Sequence, residues 1–138
     1  MAQKITVEAI LNVSRENAWA IYTEPKHIKK WNAASEDWHC PSAQNDLRVG
    51  GKFSARMEAK DGSEGFDFEG IYTAVDPINS LVYTMSDGRA VEVEFSDFGN
   101  DTDIKVSFDP EKVNPIEMQK SGWQSILNNY KEYAETIA

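Results

Sequence analysis

Ile5, Val7, Ala9, Leu11 and Val13 alternate with mostly polar residues, and this period of two predicts a half-buried strand. Ser14 ends the alternation and suits a helix N-cap, with Glu16 in the first turn near the positive end of the helix dipole. Ala18, Trp19, Ile21 and Tyr22 are the apolar residues of that helix. Pro25 fits the first turn of a second short helix, in which Ile28 and Trp31 share a face. Residues 32–45 form a polar, irregular stretch.

From Asp46 the period returns to two. Asp46-Leu47-Arg48-Val49 leads into Gly50-Gly51, and a second run follows over residues 52–60; adjacent glycines between strand-like runs predict a tight hairpin. Phe53, Ala55, Met57 and Ala59 fall on one face of that run, and Ser54, Arg56, Glu58 and Lys60 on the other. After a loop at residues 61–65, Phe66, Phe68, Gly70, Tyr72 and Ala74 form the next apolar face. Asp76-Pro77 ends it, because proline cannot donate to a sheet ladder. Leu81, Tyr83 and Met85, then Val91, Val93 and Phe95, then Ile104, Val106 and Phe108 complete the strands. A two-residue turn at Asp87-Gly88 would put Glu92 opposite Tyr83 on the buried face. A three-residue turn, Asp87-Gly88-Arg89, puts Val93 opposite Tyr83 and sends Glu92 and Glu94 to solvent. A one-residue slip inverts every side chain and buried carboxylates are costly, so the three-residue turn is expected.

The last segment reads as a long helix. Asn114 is a good cap, Pro115 fits the first helical position, and Glu117 stands where a capping box needs it. Ile116, Trp123, Tyr130 and Ile137 recur every seven residues, with Ile126, Leu127, Tyr133 and Ala134 between them. A one-faced antiparallel sheet must cover its apolar side, and this helix is the large partner available. The expected class is α+β: a curved antiparallel sheet of about seven strands wrapped around the C-terminal helix, with two short helices after the first strand.

Composition narrows the picture. A length of 138 residues fits one domain spanning residues 1–138, with enough chain to hold a core. At 41% hydrophobic and 27% charged residues it has the make-up of a folded, soluble protein. Lys and Arg number 14 against 23 Asp and Glu, and the net charge of −9 argues against nucleic acid or anionic lipid as partner. Lys26, Lys29 and Lys30 are read as a solvated helix face. The longest apolar run covers residues 18–22, far short of a membrane span, and residues 1–5 lead into the first strand with no signal-peptide core. Cys40 is a single cysteine and forms no intrachain disulfide. A cytoplasmic location is the expectation. His39-Cys40 with Asp37 nearby is the one cluster of metal-ligand types, and His27 is far from it in sequence, so no metal and no cofactor are expected. No nucleophile elbow or phosphate loop is present, and no catalytic residue is assigned.

Four pieces of the chain carry a family resemblance. Asn12-Val13-Ser14 followed by Ala18-Trp19 resembles the strand-to-helix joint of the birch-pollen-allergen-like, or SRPBCC, superfamily of START-like helix-grip proteins. Glu24-Pro25 and Trp31 resemble its Asp-Pro…Trp element, with Glu24 in place of the usual Asp. Residues 46–53 closely match the Asp-Leu-Arg-Val-Gly-Gly-x-Phe signature of the branch named after the activator of the heat-shock chaperone ATPase. Gly70, Asp76-Pro77, Leu81-Val82-Tyr83-Thr84 and Gly122-Trp123 are similar to later motifs of that branch. Asn12 departs from the apolar residue more usual there. The resemblance spans essentially the whole chain.

It implies a cavity between sheet and helix, open near the first helices and the Gly50-Gly51 turn. Its expected lining is Trp31, Phe53, Met57, Phe68, Tyr72, Tyr83, Met85, Val93 and Phe95, facing Met118, Gln119, Trp123 and Leu127. Ala55, Ala59 and Gly70 leave volume, methionines adapt to a ligand, and buried tyrosine hydroxyls need partners. A filled core is the competing reading of the same residues. Three functions follow. The first is binding of an apolar or aromatic small molecule. The second is a polyketide cyclase or dehydratase-like enzyme, which would need an acid or base in the cavity. The third is a chaperone-binding module; the activators of the family carry an additional domain ahead of this one, so activation itself is not expected to transfer. The chain is expected to be a monomer or weak dimer.

Overall fold

Alternation places Ile5, Val7, Ala9 and Leu11 on the buried side of strand β1 (Ile5–Leu11). In the computed structural model, which describes residues 4–33 and 36–137, β1 is followed by helices α1 (Arg15–Thr23) and α2 (Pro25–Trp31). Strands β2 (Trp38–Asn45), β3 (Lys52–Ala59), β4 (Gly65–Asp76), β5 (Ser80–Met85), β6 (Ala90–Phe98) and β7 (Asp101–Phe108) come next, and helix α3 (Ile116–Ile137) ends the order. The expectation that residues 1–3 lead directly into the first strand lies outside the described residues.

The strands form one seven-stranded antiparallel sheet in the order β1-β7-β6-β5-β4-β3-β2. Consecutive strands pair from β2 to β7, and β1 closes onto β7, with Ile5 opposite Phe108 and Leu11 opposite Thr102. The fold is α+β, with the inner face of the sheet wrapped around α3. Ser14 caps α1 as expected: its Oγ accepts the Asn17 N–H at 3.1 Å. Pro25 opens α2.

α3 is tied to several neighbours by hydrogen bonds. The Tyr130 hydroxyl donates to Ala18 O at 2.6 Å, His27 Nδ1 and the Tyr133 hydroxyl share a bond at 2.7 Å, and the Asn129 amide donates to Ala33 O. α3 also covers the free edge of β1. Gln124 accepts from Glu8 N at 3.4 Å and donates to Glu8 O at 3.0 Å, and Glu135 accepts from Asn12 N at 2.9 Å. These contacts satisfy backbone groups that an edge strand otherwise leaves unpaired.

Several sequence expectations are corrected. The strand ahead of the glycine pair is β2, in the stretch read as irregular, and residues 46–51 connect it to β3. Gly50 has φ +83°, and a Cβ on Gly51 would stand 2.0 Å from Asp46 O, so this link needs both glycines. In β4 a bulge between Tyr72 and Ala74 turns Ala74 outward and brings Val75 opposite Leu81. Phe66 is half exposed rather than part of the buried face. Between β5 and β6 the turn residues are Ser86, Asp87 and Gly88, with Gly88 at φ +92°. Tyr83 therefore faces Val91, and Val93 faces Leu81. Glu92 and Glu94 still point to solvent, because both placements of a three-residue turn preserve the face. α3 begins one residue later than the cap assignment: Pro115 O accepts from Met118 N and Gln119 N, each at 3.1 Å. The ends of the heptad stripe, Ile116 and Ile137, are exposed, while Gln119, Leu127, Tyr130 and Ala134 are buried.

Candidate functional site

The inner face of the sheet is covered in two parts. Beneath α1 it is closely packed: Phe95 meets Trp19 and Tyr22 with ring centroids 5.3 and 5.7 Å away. Beneath the first half of α3 the cover stands off, and a pocket of about 470 Å³ remains. β3, β4 and β5 give it Phe53, Met57, Phe68, Tyr72, Leu81 and Tyr83. α3 gives Met118, Gln119, Gly122, Trp123, Ile126 and Leu127 from the other side. Tyr22, Ile28, Trp31 and Asn32 of the first helices, with Arg89, Glu111 and Asn114 from two loops, complete much of the rim.

The residues expected from sequence therefore divide. Trp31, Phe53, Met57, Phe68, Tyr72, Tyr83, Met118, Gln119, Trp123 and Leu127 surround the pocket. Met85, Val93 and Phe95 do not line it. Val93 has no exposure and Phe95 lies under α1, while Met85 Sδ lies 4.0 Å from an Arg89 guanidinium nitrogen. Met118 lines the space but is 61% exposed, so it belongs to the mouth. Gly70 leaves no volume either: a Cβ there would stand 2.7 Å from Tyr83 Cδ2 and 3.0 Å from Phe53 Cε1. The glycine lets those two rings meet edge to face, with centroids 4.7 Å apart.

Several lining residues were not anticipated. Tyr22 reads as one more apolar position of α1, and Arg89 as a turn residue. Asn114 reads as a cap; here its carbonyl accepts from Gln119 Nε2 at 2.7 Å, and Glu111 accepts the Asn114 N–H at 2.6 Å. The signal for Gly122 was present, since glycine inside a helix costs about 1 kcal/mol relative to alanine and needs a reason. Nothing lies within 4 Å of where its Cβ would be.

Polar groups in the lining are few and neutral on the inner side. The Tyr72 hydroxyl donates to Asn45 Oδ1 at 2.7 Å, and Asn45 Nδ2 donates onward to Thr23 O at 2.6 Å. Trp31 Nε1 donates to Ile21 O at 3.0 Å. Burial pushes the Tyr72 phenol up to about 12, and pushes Tyr22 and Tyr83 up as well. Trp123 stacks on Phe108 at 4.0 Å and meets Phe68 edge to face at 5.9 Å. The His39-Cys40 pair does not converge on a common point. His39 is exposed, 4.0 Å from Glu58 Oε1, whereas Cys40 is buried, donates to Ser42 O at 3.3 Å and has its thiol pKa raised by burial.

A curved antiparallel sheet gripping a C-terminal helix, with two short helices at one end, defines the helix-grip class. Residues 12–135 match the family described as Activator of Hsp90 ATPase homolog 1-like protein, and the chain belongs to that family. Among solved structures it is similar to the AHSA1-like protein from Aeromonas hydrophila, at 42% identity and TM-score 0.92, covering 97% of this chain and 93% of that one. It is also similar to Chr148 from Cytophaga hutchinsonii, at 50% identity and TM-score 0.84, covering 96% and 92%. NE0264 from Nitrosomonas europaea shares the fold at 18% identity and TM-score 0.82, covering 96% and 94%. No curated protein matches the chain. Among the described residues no helix is long and apolar enough to cross a membrane.

Proposed function

We propose that the chain binds an apolar or aromatic small molecule in the pocket between the sheet and α3. The observation that carries this reading is the open volume itself, about 470 Å³, with large apolar side chains on the sheet and Gly122 on the helix facing free space. Ligand sites of roughly 300–1,000 Å³ combine such linings with a few placed polar groups. Residence in the cytoplasm is part of the same proposal.

The cyclase-like alternative needs an acid or base at the pocket. Glu111 is the carboxylate on its lining, and it is engaged with the Asn114 N–H, so binding without chemistry is the better supported reading. The family description keeps chaperone binding as a second proposal, and it would use the outer surface rather than the pocket.

The test uses N-phenyl-1-naphthylamine, a neutral probe whose emission rises in apolar sites. The native protein should bind one equivalent. Met57, buried on β3 and lining the pocket, is the residue to enlarge. Met57→Trp should exclude the probe and leave the melting temperature nearly unchanged. In a filled core the same change would cost about 1–3 kcal/mol. Loss of stability in the variant, with no probe bound by the parent, would refute the pocket reading.

A further inference from the structure

Two phenol hydroxyls on the pocket lining have no hydrogen-bond partner among the described residues. Tyr83, 5% exposed, projects from β5, and Tyr22 projects from α1. The neighbouring donors are engaged: Tyr72 with Asn45, Trp31 with Ile21 O, and Tyr130 with Ala18 O. Tyr22 is half-buried, and neither hydroxyl is sealed from the pocket: among the described residues the one sealed, unpaired side-chain oxygen is Asp103 Oδ1, so both phenols open onto space where a bound ligand can accept from them. Two donors beside one apolar space are best satisfied by a single oxygen with two lone pairs.

The charge of that oxygen follows from its surroundings. Burial is the leading cause that raises the phenol pKa of Tyr22, Tyr72 and Tyr83, and an anionic head group among them would meet the same penalty. Arg89, the cation on the lining, is held by Asp87 with Nε to Oδ2 at 2.7 Å. Phe53, Phe68 and Trp123 offer ring surface to the rest of the molecule. From this geometry we infer that the pocket selects a neutral apolar carbonyl compound, whose oxygen accepts hydrogen bonds from the Tyr22 and Tyr83 hydroxyls. This rests on the ligand-binding reading and goes further, since it names the functional group and the donors that recognise it.

The experiment compares three naphthalenes by displacement of N-phenyl-1-naphthylamine from the full chain: 2-acetylnaphthalene, 2-ethylnaphthalene and 2-naphthoate. The ketone should bind about tenfold more tightly than the hydrocarbon, a difference of about 1.4 kcal/mol, and more tightly than the carboxylate. Tyr22→Phe and Tyr83→Phe should each weaken the ketone and leave the hydrocarbon unchanged, and the double variant should bind the two alike. Tyr133→Phe, away from the pocket, should alter neither. The infrared carbonyl stretch of the bound ketone should move to lower wavenumber in the parent, recover in part in each single variant and recover fully in the double variant. This reading on the parent alone decides the case if a variant fails to fold. Equal binding of ketone and hydrocarbon with an unshifted carbonyl stretch would overturn the inference and leave the ligand-binding reading standing. Tighter binding of 2-naphthoate would overturn it in favour of an anionic ligand. Absence of binding by the fluorescent probe and all three naphthalenes would overturn both.

Discussion

Gly70→Ala is a sharp test of how the sheet side of the pocket is built. Gly70 lies in the extended backbone of β4, so alanine meets no conformational bar there. The obstacle is contact: the new methyl would stand 2.7 Å from Tyr83 Cδ2, 3.0 Å from Phe53 Cε1 and 3.3 Å from Thr84 O. Both rings are buried, and each is hemmed in by Phe68 and Tyr72, so neither can turn freely away. Overpacking of this kind costs about 1–3 kcal/mol, and the narrower unfolded ensemble of alanine returns about 0.4–1 kcal/mol. The net expectation is a loss of about 0.5–2 kcal/mol, read as a lower urea midpoint with an unchanged m-value. Because Phe53 supplies one of the clashing atoms, Phe53→Leu should relieve part of the cost. The Gly70→Ala/Phe53→Leu cycle should therefore show a coupling of about 0.5 kcal/mol or more. Displacing the Tyr83 ring also moves its hydroxyl, so affinity for 2-acetylnaphthalene should fall in the single variant. A Gly70→Ala protein as stable as the parent, with additive behaviour in the cycle, would refute the packing described here.

Gly122→Ala should raise stability by about 0.5–1 kcal/mol through helix propensity while weakening the binding of the larger probes, since its methyl enters the pocket; chemical denaturation and probe titration on one sample check both. Tyr22, Tyr72 and Tyr83 have phenol pKa values raised by burial, Tyr72 to about 12, against about 10 unfolded. Their contribution to stability is present below pH 10 and is lost as the pH rises from 10 through 12, because the unfolded chain then releases protons the native state keeps. Absorbance of tyrosinate near 295 nm should accordingly rise together with unfolding for these side chains, and free titration near pH 10 would contradict their burial. Ile78, at φ +74° between Pro77 and Asn79, holds a β-branched side chain in the left-handed region. Ile78→Gly should raise the melting temperature despite the loss of a half-buried side chain, and a fall would show that packing outweighs the strain.

The elements whose patterns run unbroken were legible, whatever their length. β1, β3, β6, β7, α1 and α3 follow from runs in which burial repeats without interruption. β2 was hidden by its position. An edge strand has one pairing partner, so it tolerates Pro41 and a bulge between His39 and Ser42, and both erase the alternation. The bulge at Thr73 escaped for a related reason: an extra residue changes the face of Ala74 without changing the composition of the strand. In the pocket, alternation correctly put Met85, Val93 and Phe95 on the inner face, but it carries no information about which helix lies above each one. Phe95 belongs to α1 because Trp19 and Tyr22 reach it. Tyr22 was missed because a single turn of α1 does not reveal where its hydroxyl ends.

The Gln124 and Glu135 contacts to β1 have a temporal meaning. The ribosome makes β1 about a hundred residues before β7 and makes α3 after both, yet among the described residues β1 has no neighbouring strand except β7. At a synthesis rate of about 5–20 residues per second, β1 waits several seconds for that partner. Even after β7 has paired, the outer edge of β1 still offers its backbone to any extended segment of another chain until α3 docks. A chain stalled before residue 116 would therefore be a nascent species inclined to associate through this edge. Gln124 and Glu135 end that exposure only when α3 has left the exit tunnel.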